Sequence, residues 1–303
     1  MPNYMPTYGA SNAFQRVIES LGFHVWMGES YCHYTDLSGL KGILEANEFW
    51  LSDHRFLNDL SEYSYGQELA IKVIKEFLRQ ESDSNFSTLL KEVLRTVTEV
   101  APVFYVASFS LAQDRLDQWK GYGRTNEGVC LVLKNDVTLG REGVLTQIPA
   151  IEPMQVIYDL EEQTRRLRAT ISIFRDEFIN RPCDISRTFS LWQRDLAFLV
   201  AYEFIRFKHK EYSSEEEIRL VVSSESSILT NKKPRHRISN GRLIPYVTTK
   251  NQLLSYDVKL PLAEVIVGPL ATQDSIIRSI EVFLHNTGYE NIRVRGSSVP
   301  FRG

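Results

Sequence analysis

Pro102-Val103-Phe104-Tyr105-Val106-Ala107-Ser108-Phe109-Ser110 is a run of apolar, aromatic and β-branched residues that ends in two hydroxyls. It reads as the clearest strand in the chain. Alternation along a strand puts Ser108 and Ser110 on one face and Phe109 on the other.

Strand-like and helix-like runs alternate on both sides of it. Toward the N-terminus, residues 30–35 (Ser-Tyr-Cys-His-Tyr-Thr) read as a strand, and Asp36 is placed to cap a helix over 37–46. Residues 49–52 read as a second strand. A loop over 53–60, rich in Asp and Asn, then leads into amphipathic helices over 61–80 and 87–99. Toward the C-terminus, strands are expected at 128–133, 156–158, 217–222, 243–247, 265–267 and 292–294, with helices over 160–180, 186–207 and 273–286. The stretch 223–242 is polar and carries Lys232, Lys233, Arg235, Arg237 and Arg242; it reads as an exposed loop. This interleaving predicts an α+β fold. No Pro/Gly/Ser-rich linker divides the chain, so one domain over 1–303 is expected. Its core covers about 31–270, and the helices of about 160–207 form an insertion.

The 303 residues are 43% hydrophobic and 24% charged, with a formal net charge of -3. That length supports a core without metal or disulfide, and the charge implies no global attraction to nucleic acid or membrane. Three scattered cysteines, Cys32, Cys130 and Cys183, fit reduced thiols. No secretion signal and no membrane-spanning run is read in the chain, so a cytoplasmic protein is expected. The phosphate-cradling loops GxGxxG and GxxxxGK[ST] are missing. There is no HExxH and no close His or Cys pair, so no metal is expected. Ser108 lacks a GxSxG elbow.

Four short clusters can carry chemistry, each at a strand end or in a loop. His33-Tyr34-Thr35 offers an imidazole and a stacking ring, although a lone His is more often bonded to backbone. Ser108-Phe109-Ser110 could line a polar pocket. Asp117-Gln118-Trp119-Lys120-Gly121-Tyr122-Gly123 reads either as a loop beneath a flat ring or as a core Trp closing a helix. Glu215-Glu216-Glu217-Ile218-Arg219 places three like charges at a strand start, which is costly if they are buried together. A solvated turn is the plain explanation. A carboxylate fixed there could also orient a ribose hydroxyl and stabilise positive charge developing on the sugar. Asn58, in the Phe56-Leu57-Asn58-Asp59 turn that Glu62 follows, and Lys208, placed to pair with either Glu, complete the set.

Taken in order, the aromatic-His-Tyr-Thr strand, Phe-x-Asn-Asp, Ser-Phe-Ser, Trp-x-x-Tyr with Gly-Val-Cys, Lys-x-x-x-Tyr and Glu-x-Glu-x-Arg resemble the domain-of-unknown-function family 2971 over roughly residues 31–222. That family is similar to the ADP-ribosyltransferase superfamily. The resemblance implies a split β-sheet core that grips NAD, with one active-site element from each of three strands. His33 takes the first position, Ser108-Phe109-Ser110 the second and Glu215-x-Glu217 the third. A first-strand His beside a Ser-x-Ser element mixes the two common patterns of the superfamily, and the choice of Glu217 over Glu215 rests on analogy.

The resemblance implies an NAD-dependent ADP-ribosyltransferase acting on a protein or nucleic-acid acceptor, with a role as a toxin or in phage defence. Glu217, Glu215 and His33 would be catalytic. His33, Tyr34, Thr35, Asn58, Ser108, Phe109, Ser110, Trp119, Tyr122 and Arg219 would bind NAD. His33 and Ser108 would hold the nicotinamide end, and Tyr34, Trp119 or Tyr122 would stack on it. Glu217 would bond the ribose 2′-hydroxyl, Glu215 would act on the acceptor, and Arg219 and Lys208 would steady the carboxylates. An antitoxin or inhibitor protein is the implied regulatory partner, and no membrane is involved. The rival readings are an NAD glycohydrolase with the same site and a nucleic-acid-binding or interaction module that uses the basic stretch from Lys232 to Arg242.

Overall fold

The computed structural model describes residues 11–21, 29–57, 60–100, 102–122, 128–134, 152–180, 185–225, 233–239, 241–249, 259–270 and 272–300. These residues form a mixed α+β fold around one open, ten-stranded sheet with helices on both faces.

The elements run in chain order as follows: α1 (Ser11–Leu21), β1 (Ser30–Asp36), α2 (Leu37–Ala46), β2 (Trp50–Asp53), α3 (Leu60–Gln80), α4 (Ser84–Glu99), β3 (Phe104–Ser110), α5 (Leu116–Tyr122), β4 (Gly128–Lys134), β5 (Glu152–Gln155), α6 (Leu160–Ile179), α7 (Ile185–Phe204), β6 (Glu217–Ser223), β7 (Arg235–Ser239), β8 (Arg242–Thr248), β9 (Leu262–Val267), α8 (Gln273–Asn286) and β10 (Arg293–Gly296).

β3 organises the sheet. β6 pairs with it along its whole length, from Phe104↔Ser223 to Ser110↔Glu217. Its other edge is shared between two strands: β1 meets it at Ser110, through Cys32, and β2 meets it at Tyr105 and Val106. The sheet therefore splits at Ser108, which lies between these two junctions. Beyond β1 come β4, β9 and β10, and beyond β2 come β8 and β7. β9 and β10 are parallel and the other pairs antiparallel.

Each face of the sheet buries a different core. On one face, Phe104 and Val106 of β3 and Val221 of β6 pack under α1, α3, α4, α6 and α7, around Phe174, Trp192 and Phe198. On the other, Tyr105, Ala107, Phe109, Ile218 and Val222 pack under Leu40 and Leu44 of α2 and Ile280 and Leu284 of α8. Strand alternation explains the division. α6 and α7 leave the sheet after β5 and return to it at β6, which are neighbouring strands.

Local chemistry sets the boundaries. Asp36 caps α2 by accepting the Gly39 N–H at 2.7 Å, as expected. Besides shifts of up to three residues at helix ends, two elements differ from the sequence reading. The strand expected at 156–158 lies earlier, at β5; Ile157 makes only an isolated bridge to Phe207. The polar stretch 223–242 is not all loop: Arg235–Ser239 pairs with β8 as a hairpin, with Gly241 turning at φ 71°. Arginines at alternate positions mask the strand pattern there, because an edge strand tolerates charge.

Candidate active site

The acidic cluster is built by a tight turn. The 3-10 segment Lys210–Glu215 ends at Glu216, whose left-handed backbone (φ 44°) directs the chain into β6. Ser110 Oγ donates to the Glu215 carbonyl at 2.6 Å and accepts the Ala112 N–H at 2.9 Å. The Glu217 N–H donates to Tyr158 Oη at 2.8 Å. Glu217 is thus fixed by its backbone as well as by its side chain.

Its carboxylate sits in a buried ionic network. Arg219 donates to it from Nε at 2.8 Å and Nη2 at 3.0 Å, and Lys208 Nζ donates at 3.1 Å. Lys208 also reaches Glu215 at 2.6 Å and Glu62 at 2.7 Å. Arg219 reaches the other oxygen of Glu62 at 2.7 Å and the Ile205 carbonyl at 2.7 Å. Lys208, Glu217 and Arg219 are each under 5% exposed. Buried charges need such partners, since an unpaired ion out of water is costly.

The two outer acids differ in electrostatics. Burial alone would raise the Glu217 carboxyl, but the adjacent Arg219 guanidinium, Lys208 and the Ser108 hydroxyl bring it down to about 2. Glu215 is shifted the other way: burial raises it, Lys208 opposes this in part, and the Glu217 charge adds to the rise. Glu217 is therefore held ionised, whereas the Glu215 carboxyl binds its proton more readily than an ordinary glutamate. Opposed shifts in adjacent carboxyls are how one site separates a fixed charge from an acid–base group.

Register decides which expected residues meet. Ser108 is opposite Arg219, and Ser110 is opposite both Glu217 and Cys32, so these side chains share one face. Ser108 is exposed and Ser110 buried. His33 and Phe109 lie on the other face, with ring centroids 5.4 Å apart and both packed on Phe49. The two expected partners His33 and Ser108 therefore meet through the backbone, where His33 Nδ1 donates to the Ser108 carbonyl at 3.1 Å. That carbonyl lies at the split between β1 and β2, and the imidazole supplies the donor for it. Burial lowers the His33 pKa. Phe109 is a core ring, 3% exposed, and presents no open face.

The rings expected to stack on a ligand pack on each other. Trp119 lies on helix α5, not in a loop, and meets Tyr34 edge to face at 4.8 Å. Tyr34 Oη donates to the Ala112 carbonyl at 2.6 Å, and Trp119 Nε1 donates to Asp114 at 3.0 Å. Both rings are under 9% exposed and join Cys32 and Cys130 in a small core. Thr35 lies against the first turn of α2, where a Cβ on Gly39 would come within 2.0 Å of its Oγ1. Asn58, Lys232, Cys183 and the Tyr122 side chain lie outside the described residues.

Two groups of site residues were hidden in the sequence. Glu62 follows the Asn58 turn, but nothing in the sequence showed that it bridges Lys208 and Arg219. A second buried ionic group lies nearby in the helical layer: Arg166 grips Glu203 at 2.6 and 2.9 Å and donates to the Leu21 carbonyl at 2.8 Å. The only signal for it was the polar series Gln163, Arg166 and Thr170 at helical spacing on the buried face of α6. Among the described residues, no group of three His, Cys, Asp or Glu could hold a metal, and no helix is long and apolar enough to cross a membrane.

Comparison with known families adds one match. Residues 118–220 match the model of a family described as "Protein of unknown function (DUF2971)". The matched stretch begins beside Trp119, ends one residue past Arg219, and takes in Lys208, Glu215 and Glu217. It covers about a third of the chain, so it shows similarity to that family over this stretch. No curated protein and no solved structure matches the chain.

Proposed function

We propose that this protein is an NAD-dependent ADP-ribosyltransferase of the cytoplasm, with a protein or nucleic acid as acceptor and its site on the sheet face that carries Ser108, Glu215 and Glu217. The observation that supports this most is the pair of carboxylates on one lysine: Glu215 and Glu217 both contact Lys208 Nζ, yet one is held ionised and the other has its proton affinity raised. Loss of nicotinamide leaves positive charge on the ribose, which a permanent anion at Glu217 would stabilise. Glu215, less enclosed, would take the proton from the acceptor nucleophile. The parting of β1 and β2 along β3 near Ser108, with His33 donating to the Ser108 carbonyl, supports reading the sheet as a split core.

A specific observation favours a second, non-catalytic reading. The Glu217 oxygens already accept bonds from Arg219 and Lys208, as the centre of a structural ionic lock would.

Incubation of the purified protein with NAD labelled on the adenine side, in lysate treated with RNase, DNase or protease, tests the proposal. Label on a macromolecule is the expected result, and the enzyme that removes it identifies the acceptor class. Free nicotinamide without transferred label means that water is the acceptor and the protein is a glycohydrolase. Unconsumed NAD overturns the proposal and favours the structural reading.

A further inference from the structure

At the far edge of the sheet, β7 and β8 form a hairpin that the ionic site does not use. Residues 233–242 include Lys233, Arg235, His236, Arg237 and Arg242 and no acid. Register places their arginines together. Arg235 is opposite Tyr246, Arg237 is opposite Ile244, and Ser239 is opposite Arg242. Tyr246 is also opposite Ser52, and Trp50 is opposite Thr248. Partners across a ladder share a face, so Arg235, Arg237, Arg242, Tyr246 and Trp50 form one strip.

The strip has a stacking surface at one end, with Arg235 and Arg237 next to it and Arg242 at the far end. The indole of Trp50 lies nearly parallel to the Tyr246 ring, at 4.5 Å and 28°, and Trp50 remains 46% exposed. Its Nε1 donates to Glu48 at 3.1 Å, which holds its orientation. Trp50 is thus braced by Tyr246 and Glu48 while about half of it stays in solvent beside the hairpin arginines.

The cations around it are weakly matched. Arg242 has no ion partner among the described residues, and Arg235 has only a 3.9 Å contact with Glu48. Arg237 donates to Ser52 at 3.1 Å, while its buried Nε has no partner. Burial lowers the Arg237 pKa, and Tyr246 opposes the shift in part.

We infer that the Trp50–Tyr246 stack and the arginines of the β7–β8 hairpin form a binding strip for single-stranded nucleic acid. An unpaired base would lie on the open face of Trp50, and Arg235, Arg237 and Arg242 would contact the flanking phosphates. An open aromatic with guanidinium groups beside it is the pairing such ligands require, because every base has a stacking face and every linkage a charge. A duplex keeps its bases stacked inside and cannot use the indole. The inference does not depend on NAD chemistry, since it concerns binding alone.

The test is anisotropy of fluorescein-labelled mixed-sequence 12-mers, one DNA and one RNA, titrated with the full chain at low salt without NAD. Binding of either strand is expected, weakening as salt rises, and a preference between the two identifies the sugar that is read. Trp50→Ala should weaken binding between about fivefold and a hundredfold. Arg235→Ser with Arg242→Ser, both exposed, should weaken it and flatten the salt dependence. Arg293→Ala, on the opposite edge strand β10, should leave it within about twofold. Circular dichroism confirms that each variant is folded. No binding at low salt, equal affinity for the annealed duplex, or unchanged affinity in either Trp50→Ala or the Arg235→Ser/Arg242→Ser double variant overturns the inference.

Discussion

Arg219 grips Glu217 through two nearly parallel bonds, at 2.8 and 3.0 Å, from two positions along the same strand. Strand alternation puts both on one face, and their cross-strand neighbours are Ser108 and Ser110. The pair is buried, so neither charge can be removed without leaving the other short of partners.

Arg219→Ala should therefore destabilise the protein by about 3–5 kcal/mol, the range for breaking a buried ion pair. Arg219→Lys should not restore full stability, since an ammonium cannot reproduce the planar fork. Urea unfolding of the three proteins measures this. A loss under about 1 kcal/mol in the alanine variant would show that the site relaxes or admits water.

The two carboxylates should shape acid stability with opposite sign. The Glu217 carboxyl is depressed in the folded state to about 2, so its contribution is complete above the unfolded value and is lost as pH falls from about 5 toward 2. Glu215 is raised, so its contribution is complete below the unfolded value and is lost as pH rises through the folded one. Glu217→Gln and Glu215→Gln should alter the slope of stability against pH in opposite directions. Denaturation midpoints between about pH 3 and 7 provide the measurement.

The serines should separate structure from chemistry. Ser110→Ala removes the donor to the Glu215 carbonyl and the acceptor of the Ala112 N–H, at a cost of about 1–3 kcal/mol for the groups left unpaired. Ser108 is exposed and is one of several groups that hold the Glu217 charge, so Ser108→Ala should cost at most about 1 kcal/mol. If the proposed activity is correct, Ser108→Ala should still slow NAD turnover. Equal stability losses in the two variants would contradict the assigned difference in burial.

Under the same proposal, Glu217→Gln should lower NAD turnover by at least about a hundredfold, comparable to removing one preorganised electrostatic group. Glu215→Gln should reduce transfer to the acceptor more than nicotinamide release. Thermal melts of both variants separate lost chemistry from lost fold. A folded, fully active Glu217→Gln protein would eliminate Glu217 as the catalytic acid.

Gly66 tests the helical layer. A Cβ there would come within 2.6 Å of the Phe204 carbonyl, where α3 crosses α7. A backbone oxygen cannot swing aside as a side chain can. Gly66→Ala should cost about 1–3 kcal/mol in spite of its higher helix propensity. Gly42→Ala in α2, where a Cβ meets nothing within 4 Å, should be neutral or stabilising.

The chain read alone determined most of the elements, because their signals are local. The apolar run into Ser108 and the Asp36 cap before an amphipathic stretch each follow from side chains near in sequence. The expected pairing of Lys208 with Glu215 and Glu217 also holds, since seven and nine residues across one turn keep them close. The hairpin strand at Arg235 was not legible, because an edge strand carries its charges outward and loses the apolar alternation. The partners of Glu62, and the burial of Arg166 against Glu203, were not legible either: a charged residue on a helix looks the same in sequence whether it faces water or another helix. Tertiary structure alone decided which face each residue of a strand presents to which neighbour. Register set His33 and Ser108 on opposite faces and brought Trp50, Tyr246 and the hairpin arginines onto one strip, while the packing of helix α5 closed Trp119 against Tyr34. Register is fixed by pairing between segments distant in sequence, where a shift of one residue exchanges every inward side chain for an outward one.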